Sequence, residues 1–398
     1  MSSVITRVFS EGFRVFFLLA GLYGVFAGVA WGVWLASLDG LLPFVNQSYA
    51  MPPVMWHAHE MIFGYATAAL GGFFLTAVPN WTGAPEARAR FITVVALLWI
   101  AGRIAVWFSG SLSPVTVALV DLSFVPILAL KVASQLIRRP KPQNIVFLYL
   151  LGLIWTANLL IHLDWIGVTS DTLITGVRAG LLAICSMIAI LGGRITPAFT
   201  RNAMKREGQP EASWPVSVPQ VDKAVMILAL LLPLLVLTFN ISPVAGGVAL
   251  LLGCVQLVRM ARWRVGWALR RPILIALHLG LGMLALGLIL WGLATVGFGN
   301  EIGALHILGI GCVGGMTLAV MSRAALGHSG RPLVAPSPMV VAYGLMAAAA
   351  LVRWLGSELT GGYMAAMLAA DGLWIAAVGL YVFAMWPALT GPRVSRPS

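Results

Sequence analysis

Apolar residues run along this chain in blocks of membrane length, separated by short polar breaks. A helix that crosses a bilayer needs about 20 such residues. On that rule the pattern predicts twelve spans, at roughly 13–37, 56–79, 91–108, 114–137, 144–166, 172–196, 220–239, 241–261, 272–296, 301–325, 337–356 and 363–387. The third is short, and the eleventh carries Arg353. The first run is too long for a signal-peptide core and reads as a retained span. The expected fold is therefore all-α, a polytopic transmembrane bundle forming one integral membrane domain over 1–398. The longest polar stretch, about 197–219, is rich in Pro, Ser, Glu and Lys and reads as a cytoplasmic linker. It divides spans 1–6 (about 13–196) from spans 7–12 (about 220–387).

Composition and charge sharpen this picture. Of 398 residues, 60% are hydrophobic and 10% charged, against about 25% charged in a soluble domain. The net charge of +12 does not point to nucleic acid, because the basic residues are scattered among short loops. An even number of spans puts both termini on one side. With the N-terminus inside, the cytoplasmic segments and adjoining helix ends, from Arg7 to Arg396, collect 22 of the 25 Lys and Arg. Such an asymmetry orients membrane proteins. Cys185, Cys254 and Cys312 all fall in apolar runs, so no disulfide framework is implied.

Ionisable groups inside spans are costly and tend to mark function. His57, His59 and Glu60 open the second span on its outer side, within Pro52-Pro53-Val54-Met55-Trp56-His57-Ala58-His59-Glu60-Met61. His162, with Asp164 two residues on, ends the fifth span, and His306 starts the tenth, both at the same outer depth. His278 lies about two turns into the ninth span from the inside, and His328 follows the tenth on the inner side. Residues two apart on a helix point about 200° apart, so His57 and His59 on a regular helix cannot easily grip one ion; either each serves a different centre, or the Pro52-Pro53 start leaves the first turn irregular and allows a shared ion. His57 is expected to share a face with Glu60. Arg103 and Asp121 read most simply as a structural pair. For Arg103, Arg178 and Arg353 the alternative is pairing with the acidic groups of a bound cofactor. Glu60 is the best proton carrier, and Asp164 a partner that orients His162. Trp56, Trp81, Trp107, Trp165 and Trp263 near span ends read as interfacial anchors. The glycines of the tenth span read as helix-packing positions.

The run Trp56-His57-Ala58-His59-Glu60-Met61-Ile62-Phe63-Gly64-Tyr65, continuing to Gly71-Gly72-Phe73-Phe74-Leu75-Thr76-Ala77-Val78-Pro79-Asn80-Trp81-Thr82-Gly83, resembles the signature of the NnrS family. Similar segments recur at Leu305-His306-Ile307-Leu308-Gly309 and Gly327-His328-Ser329-Gly330-Arg331-Pro332. The resemblance implies a multi-pass protein of the bacterial inner membrane, tied to nitric oxide metabolism and carrying haem and copper. On that basis His57, His59, His162 and His306 are expected to hold a haem b iron and a copper ion close together in the outer half, one imidazole on the haem and three on the copper, since imidazole suits both metals. His278 and His328 are candidates for a second, inner haem. The plainer readings are a buried imidazole for His278, a lipid-facing loop residue for His328, and headgroup-facing histidines at His57 and His59. The leading function is binding, and detoxification or reduction, of nitric oxide, with Glu60 on the proton route and electrons from a quinol or external donor. Two alternatives stay open: a non-catalytic nitric oxide sensor or metal-protecting protein, and a 6+6 transporter of a metal or small solute. The charge asymmetry itself makes a prediction. A fluorescent protein fused to the C-terminus is expected to glow and a secreted-type phosphatase fused there to be inactive; the opposite pattern would overturn the orientation.

Overall fold

The computed structural model describes residues 3–43, 47–358 and 361–394, and Arg396 lies outside them. Among the described residues the regular structure is entirely helical. Twelve helices are long and apolar enough to span a bilayer: α1 (Gly12–Leu38), α2 (Pro53–Thr82), α3 (Ala89–Trp107), α4 (Pro114–Leu136), α5 (Pro142–Ile166), α6 (Thr172–Arg206), α7 (Pro219–Phe239), α8 (Pro243–Met260), α9 (Pro272–Ala294), α10 (Glu301–His328), α11 (Ser337–Glu358) and α12 (Tyr363–Thr390). The twelve-span expectation holds, including the short third span and the Arg-bearing eleventh.

Local chemistry sets the ends. Six of the spans begin on proline, whose missing N–H costs nothing in the first turn. Ser113, Ser242 and Asn300 cap α4, α8 and α10 by accepting from the backbone N–H groups of Thr116, Ala245 and Gly303. Gly83 and Gly167 end α2 and α5 in the left-handed conformation. The stretch read as a linker is partly helix, because α6 continues through Pro197 to Arg206. Thr196, Thr200, Ala203 and Met204 are buried at helical spacing, and that packed face carries the helix past a proline that removes only one hydrogen bond.

Contacts divide the chain into two compact units. The first comprises Met1–Gly180, Met321–Leu333 and Val378–Ser398; the second comprises Leu181–Val320 and Val334–Ala377. In the first unit Arg7 donates to the Thr390 carbonyl at 2.7 Å, and Arg14 to those of Leu389 at 3.1 Å and Gly391 at 2.9 Å. Cations there satisfy the carbonyls that the end of α12 leaves unpaired. Glycines admit close neighbours in both units: Gly71 and Gly72 pack on Phe16 and Phe17, Gly311 on Met283, and Gly314 on Met346 and Trp374. These are the packing roles expected of them.

Each unit also contains a wide helical turn of the π type. In α2 it covers Glu60–Ala66, directly after His59; in α10 it covers Ile307–Gly314, directly after His306. Such segments inside α-helices recur at functional sites. The same device closes both. Thr67 donates its hydroxyl to the Phe63 and Gly64 carbonyls, and Thr317 donates to those of Val313 and Gly314. A Cβ on Gly72 would lie 2.6 Å from the Phe17 ring. Gly72→Val is therefore expected to lower the thermal midpoint in detergent, at a cost of about 1–3 kcal/mol. Gly152→Ala, with nothing within 4 Å, is expected to leave it unchanged or raise it.

Candidate metal centre

The first unit gathers a fully enclosed polar network. His59 and His162 are 0% exposed and Glu60 0%, with Asp121 and Asn158 at 4% each. Glu60 follows His59 at the start of the π turn, and its Oε1 lies 2.7 Å from His59 Nδ1. Asn158 and His162 sit four residues apart on α5 and so share a face. Asn158 Nδ2 donates to Asp121 Oδ2 at 2.8 Å, while its Oδ1 faces His59 Nε2 at 2.9 Å. His162 Nε2 lies 2.9 Å from the same Asp121 oxygen. Arg103, from α3, bridges the two carboxylates, pairing with Glu60 on one side and Asp121 on the other. Tyr23, from α1, donates its hydroxyl to Glu60.

The backbone is shaped for this meeting. Helix α4 is interrupted between Asp121 and Phe124, so Asp121 stands at the end of a half-helix. Gly102 lets it approach: a Cβ there would lie 3.1 Å from Asp121 Oδ1 and 3.3 Å from its Cα. A side chain on Gly64 would meet Tyr23 at 2.8 Å, Arg103 at 3.1 Å and Glu60 at 3.2 Å. The Gly64 carbonyl, inside the π turn, accepts from Trp99 Nε1 at 3.1 Å.

Donor and acceptor roles fix the protons. The Asn158 amide spends its N–H on Asp121, so its oxygen must accept from a His59 Nε2–H. One more proton then sits between His59 Nδ1 and Glu60 Oε1. With that proton the two carboxylates are balanced by Arg103 and one extra positive charge, as a site without water requires. His162 gives its Nε2–H to Asp121, which leaves Nδ1 as a lone pair, and this buried atom has no partner among the described residues. His59, Asp121 and His162 each offer one ligand atom, all within 4.8 Å of one another. Two imidazoles and a carboxylate suit Cu(II), iron or zinc as a bare ion. The two rings lie 5.6 Å apart, nearly perpendicular and enclosed, so this spot fits an ion and not a macrocycle.

The other expected site residues lie as follows. His57 points away from His59, as their spacing requires, and its half-buried ring stacks on Trp31 at 4.3 Å. Glu60, the first residue of the widened turn, lies against His59 Nδ1. Asp164 does not orient His162; its Oδ2 caps α6, accepting from Thr172 N at 2.7 Å and Leu173 N at 3.1 Å. Arg178 is half-buried on α6. His328, at the C-terminal end of α10, packs its ring 5.5 Å from that of Phe13.

In the second unit His306 has Nδ1 2.7 Å from its own helix's Ile302 carbonyl, which leaves Nε2 as the available ligand atom. Arg353, on α11, donates to the Tyr363 hydroxyl at 2.9 Å. Gly309, three residues on, has open space where a side chain would be. An imidazole tied to a carbonyl through one nitrogen presents the other as a metal ligand would. His278 shares a 3.3 Å contact with the Thr200 hydroxyl, and its Nδ1 is a buried atom without a partner among the described residues. Trp56 and Trp263 are buried at 1% and 0% exposure, so these two serve as core and not as interfacial anchors. Trp56 stacks at 4.7 Å on Tyr49, whose phenol burial pushes up to about 12.

Tyr23, Asn158 and the ligand role of Asp121 escaped the sequence reading. Only Asn158 left a signal, its spacing of four from His162.

Fold and site together define an all-helical, twelve-span membrane protein with a buried histidine–carboxylate centre. The sequence model of the NnrS protein family matches residues 7–393, nearly the whole chain, and the chain belongs to that family. It is thus a membrane protein of nitric oxide metabolism. No curated protein matches it in sequence.

Removing Arg103 would strand two buried carboxylates, which costs about 3–5 kcal/mol when one partner of such a pair is lost. Arg103→Met is expected to unfold at markedly lower temperature in detergent. Adding Glu60→Gln and Asp121→Asn to it is expected to restore most of the loss. Full stability of the single variant would contradict the charge balance.

Proposed function

We propose that this chain binds and transforms nitric oxide in the bacterial inner membrane, using one histidine centre in each unit. His59, His162 and Asp121 would hold a bare metal ion, with copper the choice that imidazole and the family favour. His306 would hold the iron of a haem b, and Arg353 would pair with the haem's acidic groups. When bound, these groups supply reversible nitric oxide coordination and electron exchange.

The observation that carries this reading is the 2.7 Å contact between His59 Nδ1 and Glu60 Oε1 beside the three candidate ligands. Reduction of nitric oxide to nitrous oxide follows 2 NO + 2 H⁺ + 2 e⁻ → N₂O + H₂O. It needs protons delivered to an enclosed, apolar spot. Tyr23 and Arg103 hold the Glu60 carboxylate in place, and Glu60 holds the proton at Oε1 against His59 Nδ1. Asn158 fixes the other face of the His59 ring. To hold an ion, His59 Nε2 would give up the proton it directs at Asn158, which couples metal loading to proton release. Electrons would come from a quinol or an external carrier. The bilayer delivers nitric oxide without a polar path, because the gas is small and apolar.

The test is anaerobic nitric oxide consumption by the purified, metal-replete protein with a reductant, with nitrous oxide measured. Turnover is expected, and Glu60→Gln is expected to reduce it by about 100-fold or more, the scale of a lost proton carrier. His306→Ala is expected to abolish the haem absorption band, while His59→Ala and His162→Ala leave that band and lower the count of the second metal. Nitric oxide binding without nitrous oxide would overturn catalysis in favour of a sensor or metal-protecting role.

A further inference from the structure

The motif Gly327-His328-Ser329-Gly330-Arg331-Pro332 closes α10. It belongs to the first unit, as do the start of α1 and the end of α12. The Ser329 carbonyl accepts from Val394 N at 2.9 Å. Gly330 has φ +77°, and a Cβ on it would lie 2.2 Å from the Val394 carbonyl oxygen. Only glycine lets the segment after α12 lie so close. Arg331 N then donates to the Leu326 carbonyl at 2.9 Å. The Arg331 guanidinium reaches the end of α12, where its Nη2 lies 3.1 Å from the point a Cβ on Gly391 would occupy. Arg14, from α1, donates to the Gly391 carbonyl at 2.9 Å. Two arginines therefore meet at one residue, and only one of them is satisfied. Arg14 also donates to the Leu389 carbonyl at 3.1 Å and pairs with Glu11. Arg331 Nη1 is buried and has no partner among the described residues. A buried donor without an acceptor is costly, more so when charged. Glu11 balances Arg14, and the end of α12, equivalent to roughly half a negative charge, is shared by Arg7 and Arg14. Burial, and then neighbouring Arg14, push the Arg331 pKa below its ordinary value.

We propose that Arg331 holds a phosphate group at this junction, through the Nη1 that the protein leaves unpartnered. The planar guanidinium fork matches phosphate oxygens, and such charge-assisted pairs are short and strong. Position points the same way. Arg331 follows the last turn of α10 and meets the end of α12, both helices of membrane length, so the junction lies at the depth of lipid headgroups. Basic pockets between spans bind headgroups of this kind. The orientation expected from the charge asymmetry puts this end in the cytoplasmic leaflet. A phospholipid headgroup and a soluble phosphate share the required chemistry. The charge left on Arg331 matches a phosphodiester, with its single negative charge, better than a monoester, with about 1.5 to 2 at pH 7. That favours the lipid as the source. Arg14 adds attraction while keeping its own carbonyl partners. The site goes beyond the nitric oxide reading and does not depend on it.

The experiment uses the full chain, purified in detergent, stripped of lipid and melted at fixed ionic strength with phosphatidylglycerol, diacylglycerol or inorganic phosphate. Wild type is expected to melt higher with phosphatidylglycerol and not with diacylglycerol, which has the chains without the phosphate. In Arg331→Gln the phosphatidylglycerol needed for half of that shift is expected to rise by at least about 10-fold, the scale of one lost charge-assisted hydrogen bond. Arg138→Gln/Lys141→Gln, which removes two exposed charges elsewhere in the same unit, is expected to keep the wild-type response. Where Arg331→Gln fails to fold, native mass spectrometry of wild type and Arg331→Lys serves instead. Wild type is expected to retain one phosphatidylglycerol that the lysine variant, with the charge but not the fork, releases more readily. A response to inorganic phosphate that Arg331→Gln also weakens would support the site and make soluble phosphate its source. A lower midpoint in Arg331→Gln with an unchanged phosphatidylglycerol response would overturn the proposal and leave Arg331 as a structural contact. An equal loss in Arg138→Gln/Lys141→Gln, or an equal shift with diacylglycerol, would overturn it too.

Discussion

Two carboxylates, Glu60 and Asp121, are buried inside spans of this protein, and the first unit is built around making that tolerable. Neither group reaches water, so each needs a cation or a proton within hydrogen-bonding distance. Arg103 answers for both from one position on α3, and its planar fork suits the task where a lysine would not. The remaining negative charge is met by the proton shared between His59 and Glu60, or by a metal ion at the nitrogen on the other side of the His59 ring. Most local irregularities of this unit follow from that need: the wide turn after His59, the break in α4 after Asp121, and the bare backbone at Gly64 and Gly102.

The wide turns tie the two units to a common design. In each, a histidine near the start of a span is followed at once by a π segment, and a threonine closes it through the carbonyls three and four residues back. A wider turn changes which side chains share a face, and it frees backbone groups that must be satisfied locally. Thr67, Thr317 and Trp99 supply those bonds. The surroundings differ. The turn in α2 brings charged and hydrogen-bonding groups together, while that in α10 carries an open glycine beside His306 and a buried thiol at Cys312.

The spans were legible because burial in lipid imposes a length and a composition, and both are written in the apolar runs. Twelve runs became twelve helices. The Arg103–Asp121 pair was also readable, since a charge of each sign inside neighbouring spans has few other partners. The grouping of the histidines was less so. Spacing correctly separated His57 from His59, but depth alone could not distinguish a ring packed on Trp31 from one enclosed by Asp121 and Asn158. Regular 3.6-residue geometry predicted that His57 would face Glu60; Glu60 instead lies against His59, at the start of a π turn that no residue pattern announces. Asp164 was misassigned for a similar reason. It lies close to His162 in sequence, yet the first N–H groups of α6 compete for its carboxylate and hold it.

The most direct measurement is diffraction or cryo-microscopy of the metal-loaded protein, with anomalous data collected at the absorption edge of the bound metal. A peak within coordination distance of His59, Asp121 and His162, with Arg103 still bridging Glu60 and Asp121, is the expected result. Metal found only elsewhere, with the His59–Asn158 and His162–Asp121 hydrogen bonds intact, would contradict it and leave the network as a charge-balancing element of the fold.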